Sequence, residues 1–103
     1  MKSIITDYTE NCLLCGKPDA VPHHLIFGNS FRKLADEDEL IIPLCNECHT
    51  SGLLICRIHD NPCAEKLSKM LGQMAYEKHL VADGKSEKQA RECFRKRYGR
   101  SFL

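Results

Sequence analysis

Along this 103-residue chain, apolar residues come in short clusters through the first half and at helical spacing only in the second. Residues 1–11 read as a lead-in with a few extended residues at Ser3 to Thr6. From Ala20 to Phe27 apolar and β-branched side chains dominate, and Pro22 restricts the residue before it to extended backbone, which predicts a strand. Gly28-Asn29-Ser30 breaks that strand, and Phe31 to Glu39 reads as a polar connection, basic at Arg32-Lys33 and acidic from Asp36 to Glu39. Leu40 to Leu44 is a second short strand leading straight into Cys45, and a helix starting near that point would complete a ββα unit. Residues 50–60, with Ser51-Gly52 and the run Leu53-Leu54-Ile55, carry no pattern that assigns them.

The later punctuation is clearer. Asn61-Pro62 starts a helix, with Asn61 as cap and Pro62 at the first helical position. The spacing carries this helix to about Val81 and predicts burial of Leu67, Met70, Leu71 and Met74, before Asp83-Gly84 ends it. Ser86-x-x-Gln89 is a capping box for a last helix with Ala90, Cys93 and Phe94 on its inner face and Gly99 as terminator.

A chain of this length is one small domain with limited core to bury, so a bound metal would supply stability that the core cannot. Seven cysteines are too many to ignore and too odd in number to pair fully. Met1 to Cys12 contains Lys2, Asp7 and Glu10 and no apolar stretch of the signal-peptide kind, so the expectation is a cytoplasmic protein with reduced thiols. No apolar run approaches the roughly 20 residues that span a bilayer, which argues against a membrane partner. Net charge is only +1, but residues 85–103 hold seven basic against two acidic side chains and the remainder is net acidic. That basic tail reads either as a phosphate-facing surface or as a solvated helix face.

The cysteines carry the first chemistry. Cys12-x-x-Cys15 and Cys45-x-x-Cys48 are two knuckles separated by 29 residues, and four thiolates suit one tetrahedral structural zinc. Gly16 lets the first knuckle turn tightly. A closed site of this kind leaves His23, His24 and His49 free for other work. Adjacent strand residues point to opposite faces, so His23 and His24 divide their tasks, one binding metal and the other addressing water. Phosphodiester hydrolysis needs such a division: a base for the attacking water, and a cation for the charge that develops on phosphate and leaving oxygen. Cys56, His59 and Cys63 have a spacing that allows part of a second zinc site, but Cys56, Cys63 and Cys93 read better as small buried hydrophobes.

The pattern C-x-x-C, H-H, P-L-C-x-x-C-H resembles the HNH endonucleases, the ββα-metal nucleases. Further stretches extend the resemblance over nearly the whole chain, to small HNH proteins of phages and prophages: His23-His24-Leu25-Ile26-Phe27-Gly28, Arg32-Lys33-Leu34, Ile58-His59-x-Asn61, Leu67 through Gln73 to Tyr76-Glu77, and Tyr98 to Leu103. It implies an α+β fold in a single domain, with a small zinc-stabilised ββα-metal core over about residues 10–60 and a helical C-terminal region over about 61–103. It implies metal-dependent hydrolysis of DNA phosphodiesters, with His24 as general base. His23, His49 and His59 would hold a catalytic divalent ion (magnesium, manganese, nickel or zinc), and Cys12, Cys15, Cys45 and Cys48 the structural zinc. Asn61 would be a cap or a support for His59. Leu40 stands where the family's middle asparagine orients the base, so Asn29 or a backbone carbonyl would hold the ring. Arg32 and Lys33 beside the site, and Arg91, Arg95 and Arg97 on the last helix, would contact phosphates. The partners implied are DNA, a second copy of the chain, or a phage recombination or packaging protein. The alternative from another class is a zinc-bearing DNA- or protein-binding module without catalysis.

Overall fold

In a computed structural model describing residues 1–103, two strands pair antiparallel and three α-helices pack around them. The elements in order are β1 (Val21–His24), α1 (Phe31–Glu37), β2 (Ile41–Leu44), a π-type turn (Glu47–Ser51), α2 (Pro62–Ala82) and α3 (Glu87–Tyr98). The register sets Val21 opposite Leu44, Pro22 opposite Pro43, His23 opposite Ile42 and His24 opposite Ile41. All four β2 residues are buried, whereas β1 is exposed at Val21 and Pro22 and buries His23 completely. The sheet is therefore less a core than a frame for its histidine pair. Both predicted strands exist, shorter than their apolar stretches: Leu25, Ile26 and Leu40 lie just beyond the ladder and fill the core, with the Leu25 amide still donating to the Leu40 carbonyl at 2.9 Å.

The connection between the strands is not the polar link expected. Residues 31–37 form α1, with Phe31, Leu34 and Ala35 turned inward at i, i+3 and i+4. Seven residues are too short for that period to stand out among Arg32, Lys33, Asp36 and Glu37. The helix ends where the Asp38 amide donates to Leu34 and Glu39 takes a positive φ of 57°. No helix of regular α type follows β2; the second knuckle runs instead into the π-type turn.

Helix α2 begins as expected, with the Asn61 side chain accepting from the Ala64 amide at 3.3 Å. Its buried face is different. Ser68, Gly72 and Gln73 point inward, while Leu67 (64%), Leu71 (43%) and Met74 (59%) are exposed and Met70 is half-buried. The reason is a close approach at Gly72, where a Cβ would lie 2.8 Å from Ile26 Cγ1 and 3.1 Å from Leu25 Cβ. The inward polar groups are satisfied: the Phe102 amide donates to Gln73 Oε1 at 2.6 Å, and Gln73 Nε2 donates to Glu77 at 2.7 Å and Ser101 at 2.9 Å.

Helix α3 carries both halves of the Ser86/Gln89 capping box and ends at Gly99 with φ of 81°. Ala90, Phe94 and Tyr98 are its buried face, and Cys93 is half-buried at the margin. Phe94 stacks on Tyr98 at 4.5 Å with Tyr76 edge-on to Phe94 at 5.4 Å. The Tyr98 hydroxyl and Arg97 Nε both donate to Asp38, at 2.7 and 2.6 Å, locking α3 to the end of α1.

The Gly72 contact yields a direct test. Gly72→Val forces side-chain atoms into Ile26 and Leu25 and should destabilise the fold by about 2 kcal/mol, within the range for overpacking. Urea unfolding of the two proteins checks it.

Candidate metal centres

The four knuckle cysteines meet. One sulfur from each of Cys12, Cys15, Cys45 and Cys48 lies within 4.8 Å of the others, and Cys15 and Cys45 sulfurs are 3.4 Å apart. A ZnS4 tetrahedron with bonds of about 2.3 Å has edges of roughly 3.8 Å, so this donor set fits zinc. Backbone bonds build the cage. Gly16 donates its amide to the Cys12 carbonyl at 2.9 Å with φ of 82°, and the Leu13 amide donates to Pro43 at 2.8 Å, docking the first knuckle on β2. Burial raises the Cys12 thiol's pKa, but hydrogen bonds from the Cys45, Cys15 and Leu14 backbone outweigh it and bring it down to about 6. Burial and the surrounding sulfurs push the Cys48 thiol up. Holding all four as thiolates at these distances would require a cation among them. Cys56 and Cys63 correct the sequence reading: both are exposed rather than buried, and neither joins a metal-competent cluster.

The second knuckle also positions histidines. The His49 amide donates to the Cys45 carbonyl at 3.0 Å. The chain then loops out through the exposed Leu53, Leu54 and Ile55 and returns, with the Ile58 amide donating to Cys48 at 2.9 Å and the His59 amide to His49 at 3.0 Å. Asn61 acts as a cap and also ties the loop, its side-chain amide donating to the Leu54 and Arg57 carbonyls at 3.1 and 3.3 Å. The result is a three-histidine cluster: one nitrogen each from His23, His49 and His59 within 4.8 Å.

His23 shows what this cluster is equipped to hold. Its Nε2 lies 2.9 Å from Ser68 Oγ, whose single proton is donated to the Leu25 carbonyl at 2.8 Å. Nε2 must therefore be the protonated nitrogen, and Nδ1 keeps a bare lone pair. That Nδ1 is the one buried side-chain nitrogen or oxygen without a partner. A buried acceptor left unpaired is costly, and a divalent cation shared with His49 and His59 would satisfy it. Burial first, then His49, His59 and His24, lower the His23 pKa to about 3. Burial, His59, His24 and Arg32 lower that of His49 as well. Both imidazoles are thus held in the neutral form that ligates metal.

His24 points the other way, as strand alternation requires. It shares a depression of about 330 Å³ with Pro22, Phe27, Gly28, Arg32, His49 and His59. Its Nε2 is 3.1 Å from Asp36 Oδ1, so Nε2–H donates to the carboxylate and Nδ1 is left to accept a proton. Asp36 went unnoticed in the sequence because only α1 brings it back over β1. Asn29 lines a neighbouring hollow with Arg32 and Lys33 but does not hold the ring, and Leu40 is fully buried core.

The basic residues divide. Arg32 and Lys33 line the hollows around His24 and have no carboxylate partner within 4.0 Å. Lys69 stands 4.7 Å over the Phe27 ring, which is a wall of the depression. Arg91, Arg95 and Arg97 line neither hollow beside His24; they pair with Glu77 at 3.0 Å, Glu92 at 2.5 Å, and Asp38 and Glu37 at 2.6 and 3.0 Å. Arg91 and Arg97 thus tie α3 to α2 and to the end of α1, whereas Arg95 pairs only within its own helix on the surface.

Residues 7–64 match a family of proteins of unknown function, DUF968, over more than half of the chain. The chain belongs to the DUF968 family. No curated protein and no solved structure matches it. The matched span of this DUF968 chain contains the four knuckle cysteines and His23, His24, Asp36, His49 and His59, and ends three residues into α2. No helix is long and apolar enough to cross a membrane.

Two outcomes are expected from these centres. Cys45→Ser should lose the equivalent of zinc bound at the four cysteines, measured by elemental analysis, and lose cooperative thermal unfolding with it, since binding energy at such a site is folding energy. His23 predicts a pH dependence. The folded chain keeps this imidazole neutral down to about 3, whereas the unfolded chain protonates it near its ordinary value of about 6.5. Its contribution is therefore complete above about pH 6.5 and declines as pH falls toward 3, by up to about 1.4 kcal/mol per unit. Urea midpoints should drop between about pH 6.5 and 5 more steeply in the wild type than in His23→Asn.

Proposed function

We propose that this DUF968 chain is a metal-dependent endonuclease of the HNH type that hydrolyses DNA phosphodiester bonds. The observation that supports it best is the division of labour at β1: His23 offers a buried bare nitrogen to the cluster it forms with His49 and His59, and His24 offers a base to the depression that His49 and His59 also line. Its neighbour Asp36 fixes the tautomer of His24 and stabilises the imidazolium that forms when Nδ1 takes a proton from water. A divalent ion at His23, His49 and His59 would supply the positive charge that a phosphate and its leaving oxygen require. Arg32 and Lys33 give phosphate-binding donors at the edge of that depression, and such contacts position a strand without reading its sequence. The all-imidazole donor set favours manganese, nickel or zinc over magnesium, which prefers oxygen ligands.

Conversion of supercoiled plasmid, with each of these ions or with chelator, tests the reading. Cleavage should need added metal, fall by about 10²–10⁴-fold in His24→Ala, and fall less in Asp36→Asn. Plasmid binding without cleavage under every ion would instead identify a zinc-bearing binding module, or a nuclease that works only with a recombination or packaging partner.

A further inference from the structure

Two side chains near the start of α2 stand behind the histidine cluster. Ser68 is buried, accepting from His23 Nε2 at 2.9 Å while donating to the Leu25 carbonyl at 2.8 Å. Glu65 lies three residues earlier, hence on the same helix face, with Oε2 3.5 Å from His59 Nδ1 and 3.3 Å from the Asp60 amide that donates to it. We infer that Ser68 and Glu65 are the positioning residues of the three-histidine centre, so that His23 presents Nδ1 and His59 presents Nε2 to a divalent ion. The inference rests on the reading of His23, His49 and His59 as a metal site, but not on cleavage.

The chemistry is specific to each group. A serine has one proton, and the Leu25 carbonyl takes it, so Ser68 can only accept from His23; this excludes the tautomer that would put a proton on the nitrogen facing the cluster. Glu65 is a carboxylate and can only accept, so its contact at 3.5 Å favours, by charge rather than by a short hydrogen bond, the His59 tautomer with the proton on Nδ1 and the opposite nitrogen free for metal. Phe27 holds the His59 ring from another side, edge-on at 4.7 Å. His49 has no side-chain partner of this kind and takes its place from the knuckle backbone alone. The rotation of α2 follows from the same requirement: turning Ser68 and Gly72 inward brings the helix against Leu25 and Ile26, and leaves Leu67 and Leu71 outside.

The experiment uses the full chain with zinc loaded at the cysteines and reads two things: nickel affinity by calorimetry, and histidine tautomers by nitrogen-15 NMR before nickel is added. Ser68→Ala should weaken nickel binding by about 10–100-fold, the usual effect of removing a ligand's support, and should release His23 from its single tautomer. Ser68→Thr, which keeps the hydroxyl, should stay near wild type. Glu65→Ala should weaken binding in the same direction and move the His59 proton between nitrogens. Zinc content and urea midpoint of each variant separate these effects from misfolding. Unchanged nickel affinity in Ser68→Ala and Glu65→Ala, or a His23 proton found on Nδ1, overturns the inference while leaving the metal site standing. Equal nickel affinity in wild type and His23→Ala overturns the metal site and the inference together. Tight nickel binding without plasmid cleavage leaves the positioning role intact and removes only the nuclease.

Discussion

The closure of four sulfurs between Cys12, Cys15, Cys45 and Cys48 is the constraint on which the rest of this structure depends. It joins a lead-in segment that has almost no regular structure to the end of β2, and it fixes the turn from which His49 projects. The return of the chain to Cys48 and His49 through the Ile58 and His59 amides is then a matter of two backbone bonds. With metal at the cysteines, two of the three clustered histidines are placed by main chain. The residues just before them, Cys48 and Ile58, pack against a hydrophobic core that in a chain of this size is small.

The third histidine is placed at a higher energetic risk. His23 is fully buried, with a nitrogen that no protein group satisfies. Such a group is tolerated where something else completes it, and the same burial that makes it costly keeps the imidazole unprotonated. Its neighbour on the strand faces a different medium. His24 opens on a polar depression with an exposed aspartate behind it and two unpaired cations beside it. One dipeptide thus places one imidazole in the interior and the other on a surface depression, separated only by the two-residue alternation of a strand.

The helices serve this frame unequally. Helix α3 spends three arginines on ion pairs with Glu77, Glu92, Glu37 and Asp38, while Lys85, Lys88, Lys96 and Arg100 of the basic tail have no carboxylate within 4.0 Å. Helix α2 gives its buried face to small and polar residues, because the close packing on Leu25 and Ile26 and the hydrogen bonds to His23 and the chain terminus both require them. Its longer apolar side chains are left outside as a consequence.

What the sequence by itself determined is local. The two C-x-x-C knuckles, the opposite facing of His23 and His24, the Asn61 cap and the Ser86/Gln89 capping box each depend on residues a few positions apart, and each is present in the structure. What only the tertiary structure decided involves residues brought together across many positions. Asp36 reaches His24 because the seven-residue α1 folds back, too short a helix to announce itself by periodicity. Cys56 is exposed in the loop that projects beyond the knuckle and Cys63 in the first turn of α2, and the inner face of α2 departs from the hydrophobic spacing because a glycine contact outweighs it. Ser68 looks like any helical serine until the fold sets it against His23, 45 positions away. Periodicity records which side chains prefer to leave water; it does not record which backbone must approach closely, or which buried nitrogen needs a partner.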